Sequence, residues 1–315
     1  MTGAGRCAYL GPRGTFCEQA VAALHPGGDL EAVACASIAA TLDAVHSGTA
    51  QRAVVPIESS VEGGVNATLD ELVTGPPVVI KAEVIVPVEF ALLVRPGTEF
   101  ADIKVVGGHP VAQPQCRRWL ASHLPDAHWR PALSNADAAL ASRLAARHYR
   151  LTVLADGASD NDAAVTRFVE VGPPGPLPAP TGADRTSVIA FLADDHPGAL
   201  MDILSQFAVR GVNLSRIESR PTGEGIGRYC FFIDCEGHVS APSVGEALMG
   251  LRRTCSDVRF LGSYPMAAGP PQRRHPAAAA PVADRARSDR AQSARADARF
   301  TDAAAWLDQV RLGSA

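Results

Sequence analysis

The string VTRF (165–168) places a hydroxyl, Thr166, beside a guanidinium, Arg167, and that pair poses the first chemical question of the sequence. A guanidinium is a planar fork that fits a carboxylate, and a neighbouring hydroxyl can donate to an oxygen that is gaining charge. A free threonine hydroxyl is a poor acid and needs a tuning partner. Glu58, at the end of the apolar run AVVPI (53–57), is one candidate if burial raises its pKa, although capping the following helix is its ordinary role. Thr15 and Ser60 stand where helical patterns begin; capping is their default, yet free N–H groups at such ends also bind carboxylates. Gly11, Gly14, Gly63 and Gly64 read first as turn glycines and second as points of close ligand approach. His109, in GGHP after a strand, is open to a structural or a functional reading.

The elements that must position these residues follow an alternation. CAYLG (7–11), LEAVAC (30–35) and AVVPI (53–57) each precede a helical pattern, near 14–24, 37–46 and 64–72, which is the mark of a mostly parallel sheet covered on both faces. The apolar run 78–94 leads out of this lobe, and the pattern resumes with KVVGG (104–108), a helix near 110–123 and HWRPAL (128–133). Two such lobes usually hold a ligand in the cleft between them.

VGPPGPLPAPTGAD (171–184) marks a boundary, with the linker proper at 176–184 and the first domain at 1–175. Beyond it, a strand at 185–193, a helix at 197–211, strands at 212–220 and 228–237, a helix near 241–253 and a strand at 257–263 make a ferredoxin-like βαββαβ domain over 185–264. Residues 265–299 read as a low-complexity linker and 300–315 as a C-terminal helix with Thr301 at its start.

Composition narrows the function classes. The 315 residues are 47% hydrophobic and 20% charged, with a formal charge of -4, so the chain offers no positive field for nucleic acid. Seven cysteines without metal-ligand spacing imply buried thiols in a reducing compartment. No run of about eighteen apolar residues and no basic leader is present, so a cytoplasmic protein without membrane attachment is expected.

GPRGTF (11–16), VVPIESSVEGGVNATLDEL (54–72), VTRF (165–168), PGAL (197–200) and IESRPTG (217–223), in that order, resemble the motifs of the prephenate dehydratases over about 7–264. The resemblance implies a two-lobed, periplasmic-binding-protein-like α/β catalytic domain followed by an ACT regulatory domain. It implies decarboxylating dehydration of prephenate to phenylpyruvate in phenylalanine biosynthesis, with no cofactor and no metal. Without a helical chorismate mutase segment upstream, the chain is expected to be monofunctional. In the family the threonine at Thr166 is assigned to catalysis. Arg167 would grip the pyruvyl carboxylate, with Phe168, Thr15, Ser59, Ser60, Gly64, Ser134 and Gln115 at the substrate; Gln115 and Cys116 match the family's Gln-Cys pair. PGAL and ESRP match the signatures that bind phenylalanine between paired ACT domains, which implicates Gly198, Ala199, Leu200, Asn213, Leu214, Glu218, Ser219, Arg220 and Pro221, and a homodimer or homotetramer.

Three departures stand out. Ser59 and Ala164 occupy positions where relatives usually carry asparagine. SNAD (134–137) supplies four residues where a crossover between parallel strands needs about ten to twelve, so AALAS is expected to join one fused helix over 135–149, capped by Ser134 or Asn135, and the second lobe to lose a strand-helix unit. These departures motivate a second reading, a catalytically impaired amino-acid sensor. A third, an arogenate dehydratase, differs only in an amino group replacing a keto oxygen of the substrate.

Overall fold

The computed structural model describes residues 5–131, 140–192, 196–223 and 228–267; the expected C-terminal helix and the linker before it lie outside the described residues, as do Ser134 and Asn135. The first lobe opens with β1 (Gly5–Leu10), α1 (Phe16–Leu24), β2 (Leu30–Cys35), α2 (Ile38–His46) and β3 (Arg52–Ser59). Its first two helices begin where side chains cap them: Thr15 Oγ1 accepts the Glu18 N–H and Ser37 Oγ the Ala40 N–H. The two-residue β4 (Gly63–Gly64), α3 (Asn66–Thr74) and β5 (Val79–Pro87) complete it. The second lobe contains β6 (Phe90–Val94), β7 (Val105–Gly108), α4 (Ala112–Gln115), α5 (Arg117–His123), β8 (His128–Pro131), β9 (Leu140–Ser142), α6 (Arg143–Tyr149) and β10 (Thr152–Ala155). The chain then returns to the first lobe as β11 (Val165–Gly172), antiparallel to both β3 and β5. The first sheet runs β2-β1-β3-β11-β5 with β4 on the side of β3, and the second runs β10-β6-β9-β7-β8.

The fused helix expected over 135–149 is corrected by the structure. Leu140, Ala141 and Ser142 form a strand between β6 and β7, antiparallel to the first and parallel to the second. All three are fully buried. A strand there pairs backbone groups of both neighbours and buries Leu140 and Ala141, neither of which a helix at that place would do. The helix starts afresh at Arg143, with Ser142 accepting the Leu144 N–H as its cap. The second lobe therefore keeps its strand-helix unit.

Residues 173–183 carry no strand or helix. After them come β12 (Asp184–Phe191), α7 (Ala199–Ala208), β13 (Leu214–Pro221), β14 (Tyr229–Glu236), α8 (Pro242–Thr254) and β15 (Asp257–Pro265), with sheet order β13-β14-β12-β15. One face of this sheet packs on α7 and α8 through Ile203, Phe207, Val244 and Leu251. The other face joins the core of the first lobe: Ile189, Phe232, Leu261 and Tyr264 share one buried cluster with Ala8, Leu42, Leu69, Leu72 and Ile80. Among the described residues no helix is long and apolar enough to cross a membrane.

Across this shared core the backbones approach closely at Gly262, whose φ of +143° is a glycine conformation and where an added Cβ would lie 2.5 Å from the Ile80 carbonyl oxygen. Backbone cannot yield as a flexible side chain can. Gly262→Ala should therefore lower stability by about 2–3 kcal/mol in denaturant titration. A midpoint equal to wild type would show that the two sheets separate freely at this point.

Candidate active site

Successive residues of a strand point to opposite faces, and β11 uses this at the VTRF string. Thr166 and Phe168 face a cavity of about 420 Å³ between the lobes. Thr15, Phe16, Ser59 and Glu62 line it from the first lobe, and Phe90, His109 and Gln115 from the second. Arg167, between Thr166 and Phe168, points the other way, toward β14.

The first-lobe wall is held by short polar ties. Thr15 Oγ1 donates to the Leu10 carbonyl at 3.2 Å while capping α1, so the first turn of that helix opens onto the cavity. Ser60 exchanges two hydrogen bonds with Val165, one residue before Thr166: its N–H donates at 2.9 Å and its Oγ accepts at 3.0 Å. Ser59 Oγ accepts the Val61 and Glu62 N–H groups at 3.2 and 3.4 Å, which shapes the turn that presents Glu62. Across the cavity, Gln115 Nε2 donates to Glu62 Oε1 at 3.2 Å. The lobes are also tied outside it, by Gln19 Nε2 donating to Ser142 Oγ at 2.7 Å and His148 beside Glu18 at 3.1 Å. Gly14 lets them close: a Cβ there would sit 2.6 Å from the Ala145 backbone.

His109 is the cavity's titratable ring. Burial lowers its pKa from the usual histidine value, and the nearby Glu62 carboxylate opposes the shift. Nδ1 accepts the Val111 N–H at 3.3 Å, which leaves Nε2–H as the donor of the neutral ring. The cavity wall is otherwise mostly apolar, and no lysine or arginine lines it among the described residues.

Several sequence expectations are redirected. Arg167 does not reach the cavity: it is 7% exposed, Nη2 donates to Asp234 Oδ2 at 2.5 Å, and Glu83 and Glu58 each lie 3.4 Å from it. Glu58, its cross-strand neighbour, shares that face and lies apart from Thr166; it is 40% exposed beside Arg167 and Arg216. Gly64 does not line the cavity but abuts the Glu218 carboxylate, which occupies the place a Cβ would take. Ser134 lies outside the described residues. Thr15, Ser59, Gln115, Thr166 and Phe168 do converge on the cavity. Glu62 was not singled out in the sequence; its signal was a turn placed directly after a strand that ends at the cleft.

In the C-terminal domain, Gly198 adopts φ +98° at the start of α7, and Ala199 borders a cavity of about 230 Å³ with His196, Asp202, Thr254 and Cys255. Leu200 is 39% exposed. Residues of 213–221 do not line that cavity. Asn213 Nδ2 donates to Glu236 at 2.9 Å, Leu214 and Pro221 begin and end the edge strand β13 with Ser219 between them, and Glu218 bonds Arg216. Arg220 reaches Asn66 at 2.8 Å and Asp70 of α3. The two groups of residues are thus not brought together within one chain.

Residues 7–175 match the family model for prephenate dehydratase, and residues 187–253 match that of the ACT domain. The chain belongs to the prephenate dehydratase family. The prephenate dehydratase of Mycobacterium marinum is 44% identical, over 98% of this chain and 96% of its own length. Among solved structures, the prephenate dehydratase of Arthrobacter aurescens in complex with L-Phe is 44% identical with a TM-score of 0.80, covering 97% of this chain and 99% of its own. A protein described as a novel type of quorum-quenching acylase is 30% identical with a TM-score of 0.74, covering 85% and 99%. The family match agrees with the motifs, the two-lobed α/β fold and the C-terminal βαββαβ domain.

The opposing influences on His109 make a signed prediction. Glu62→Gln removes the charge that favours the protonated ring, so the titration of His109, followed by NMR of its ring nitrogens, should move to still lower pH. A shift upward, or none, would separate the two side chains.

Proposed function

We propose that the cavity beside Thr166 is where this prephenate dehydratase converts prephenate to phenylpyruvate, carbon dioxide and water. The observation that carries the reading is a hydroxyl, a helix N-terminus and a neutral imidazole converging in a largely apolar cavity. The bond between the ring and its carboxylate breaks as carbon dioxide leaves; its electron pair enters the ring, the ring becomes aromatic, and the carbon–oxygen bond opposite breaks. The departing hydroxyl takes up one proton and leaves as water. Thr166 donates to that oxygen as charge develops on it, the point at which a hydrogen bond lowers the barrier rather than merely binding substrate. The Nε2–H of His109 is the second donor. Apolar walls at Phe16, Phe90 and Phe168 leave the ring carboxylate poorly solvated, which favours its loss. With Arg167 turned away, the pyruvyl carboxylate is taken by the N–H groups in the first turn of α1 beside Thr15. Ser59, in place of the usual asparagine, serves the turn that carries Glu62.

The ACT domain, by the same proposal, binds L-phenylalanine between two copies of the chain. The support is that Gly198–Leu200 and residues 213–221 lie apart within one chain and that the Arthrobacter relative was solved with L-Phe. The enzyme is then a homo-oligomer of the cytoplasm, with prephenate as substrate and phenylalanine as feedback effector.

Thr166→Ala should reduce kcat for phenylpyruvate formation by about 10²–10³, whereas Thr166→Ser keeps most of it. Equal turnover by wild type and Thr166→Ala would remove Thr166 from the chemistry, and no turnover by wild type would favour the impaired sensor. Running the assay with arogenate alongside ranks the two substrates. L-phenylalanine should raise the thermal unfolding midpoint, and Ala199→Leu, which fills the start of α7, should abolish the rise; an unmoved wild-type midpoint would end the effector reading.

A further inference from the structure

We infer that Asp234 of the ACT domain is a positioning residue for the dehydratase reaction: it holds Arg167, and through it the adjacent Thr166, so the state of the ACT sheet reaches the cavity. The regulatory half of this inference rests on the effector reading above; the positioning half does not.

One peptide separates Thr166 from Arg167, so wherever the guanidinium is fixed, the backbone carrying the hydroxyl is fixed too. That backbone has a local need for an anchor, because the pairing of β11 with β3 shifts register between Arg167 and Phe168. Of the three acids around Arg167, Asp234 makes the short bond, at 2.5 Å, while Glu83 and Glu58 stand at 3.4 Å and the Nε has no hydrogen-bond partner. Asp234 is itself immobilised from its own sheet. It is 2% exposed, Ser187 Oγ donates to its Oδ1 at 2.6 Å, and that hydroxyl lies 2.7 Å from the Tyr264 hydroxyl. Burial works against its ionised form, but Arg167, Arg216 and Ser187 prevail and hold its carboxyl below the usual range.

A second path leads from the same sheet to the turn beside Thr166 in the same wall. β13 pairs with β14 next to Asp234, and its Glu218 and Arg220 press on Gly64 and bond Asn66 and Asp70. Those residues follow the turn that carries Ser59 and Glu62. A shift of β13 and β14 therefore moves Thr166 and the turn beside it together. If the ion cluster served only to glue two domains, loosening any other contact between them would do equal harm. Arg259 offers that comparison, since its Nη1 donates to the Leu72 and Gly75 carbonyls at 2.7 and 3.0 Å, away from the cavity.

The test uses the full chain as Asp234→Asn, Ser187→Ala and Arg259→Ala, with kcat, KM and unfolding midpoint measured with and without L-phenylalanine. Asp234→Asn should lower kcat roughly tenfold or more with KM held within about twofold. It should keep the midpoint rise on phenylalanine but lose the rate response, where the wild type changes by about fivefold or more. Arg259→Ala should lower the midpoint and leave kcat alone. The inference fails if Asp234→Asn retains wild-type kcat and rate response, or if Arg259→Ala lowers kcat as much as Asp234→Asn does. Should Asp234→Asn not fold, Ser187→Ala decides: a fall in kcat at constant KM supports the inference and an unchanged kcat overturns it. If phenylalanine affects neither midpoint nor rate of wild type, the effector reading falls, and the kcat comparison still decides the positioning role.

Discussion

Strand alternation at β11 is the constraint on which the rest depends. A single extended segment, flanked on both sides in its sheet, must give one face to a mostly apolar cavity and the other to a second domain, so consecutive residues acquire unrelated environments. Thr166 and Phe168 meet the space between the lobes, while Arg167 is buried among carboxylates. The lobes, the short caps and the packing of the ACT sheet all serve to keep that strand in register with both surroundings.

The electrostatics follow the same division. A buried guanidinium is tolerable only when its charge is met by acids, and carboxylates stand beside Arg167, Arg185 and Arg216, with the Nε of Arg167 left without a hydrogen-bond partner. On the cavity side, formal positive charge is absent from the described lining. On the proposed reading, a substrate with two carboxylates is held there by dipoles and hydroxyls rather than by a cation, which grips one acid group without stabilising the ground state of the other.

Much of this was legible in the residues. The βα alternation and the βαββαβ order depend on local periodicity and lie close to the observed elements, and five short strings in register point to the family. What local pattern could not supply was the direction of side chains on β11 and their partners more than sixty residues away, such as Asp234. Chemical aptitude put Arg167 at a ligand, although alternation already required it to oppose Thr166. The run AALAS misled for a related reason: alanine-rich sequence favours helix, and only tertiary burial of Leu140 and Ala141 makes a strand of it.

The core shared by the catalytic lobe and the ACT sheet bears on how the chain is born. Ile80, Leu69 and Leu72 are made early, yet the strands that cover them include β15, which begins at Asp257, about 170 residues after β5 ends at Pro87. At ribosomal speeds of about 5–20 residues per second, that apolar surface waits roughly ten to thirty seconds for its cover. During translation the nascent first lobe is an incomplete body exposing the face on which its regulator will later close.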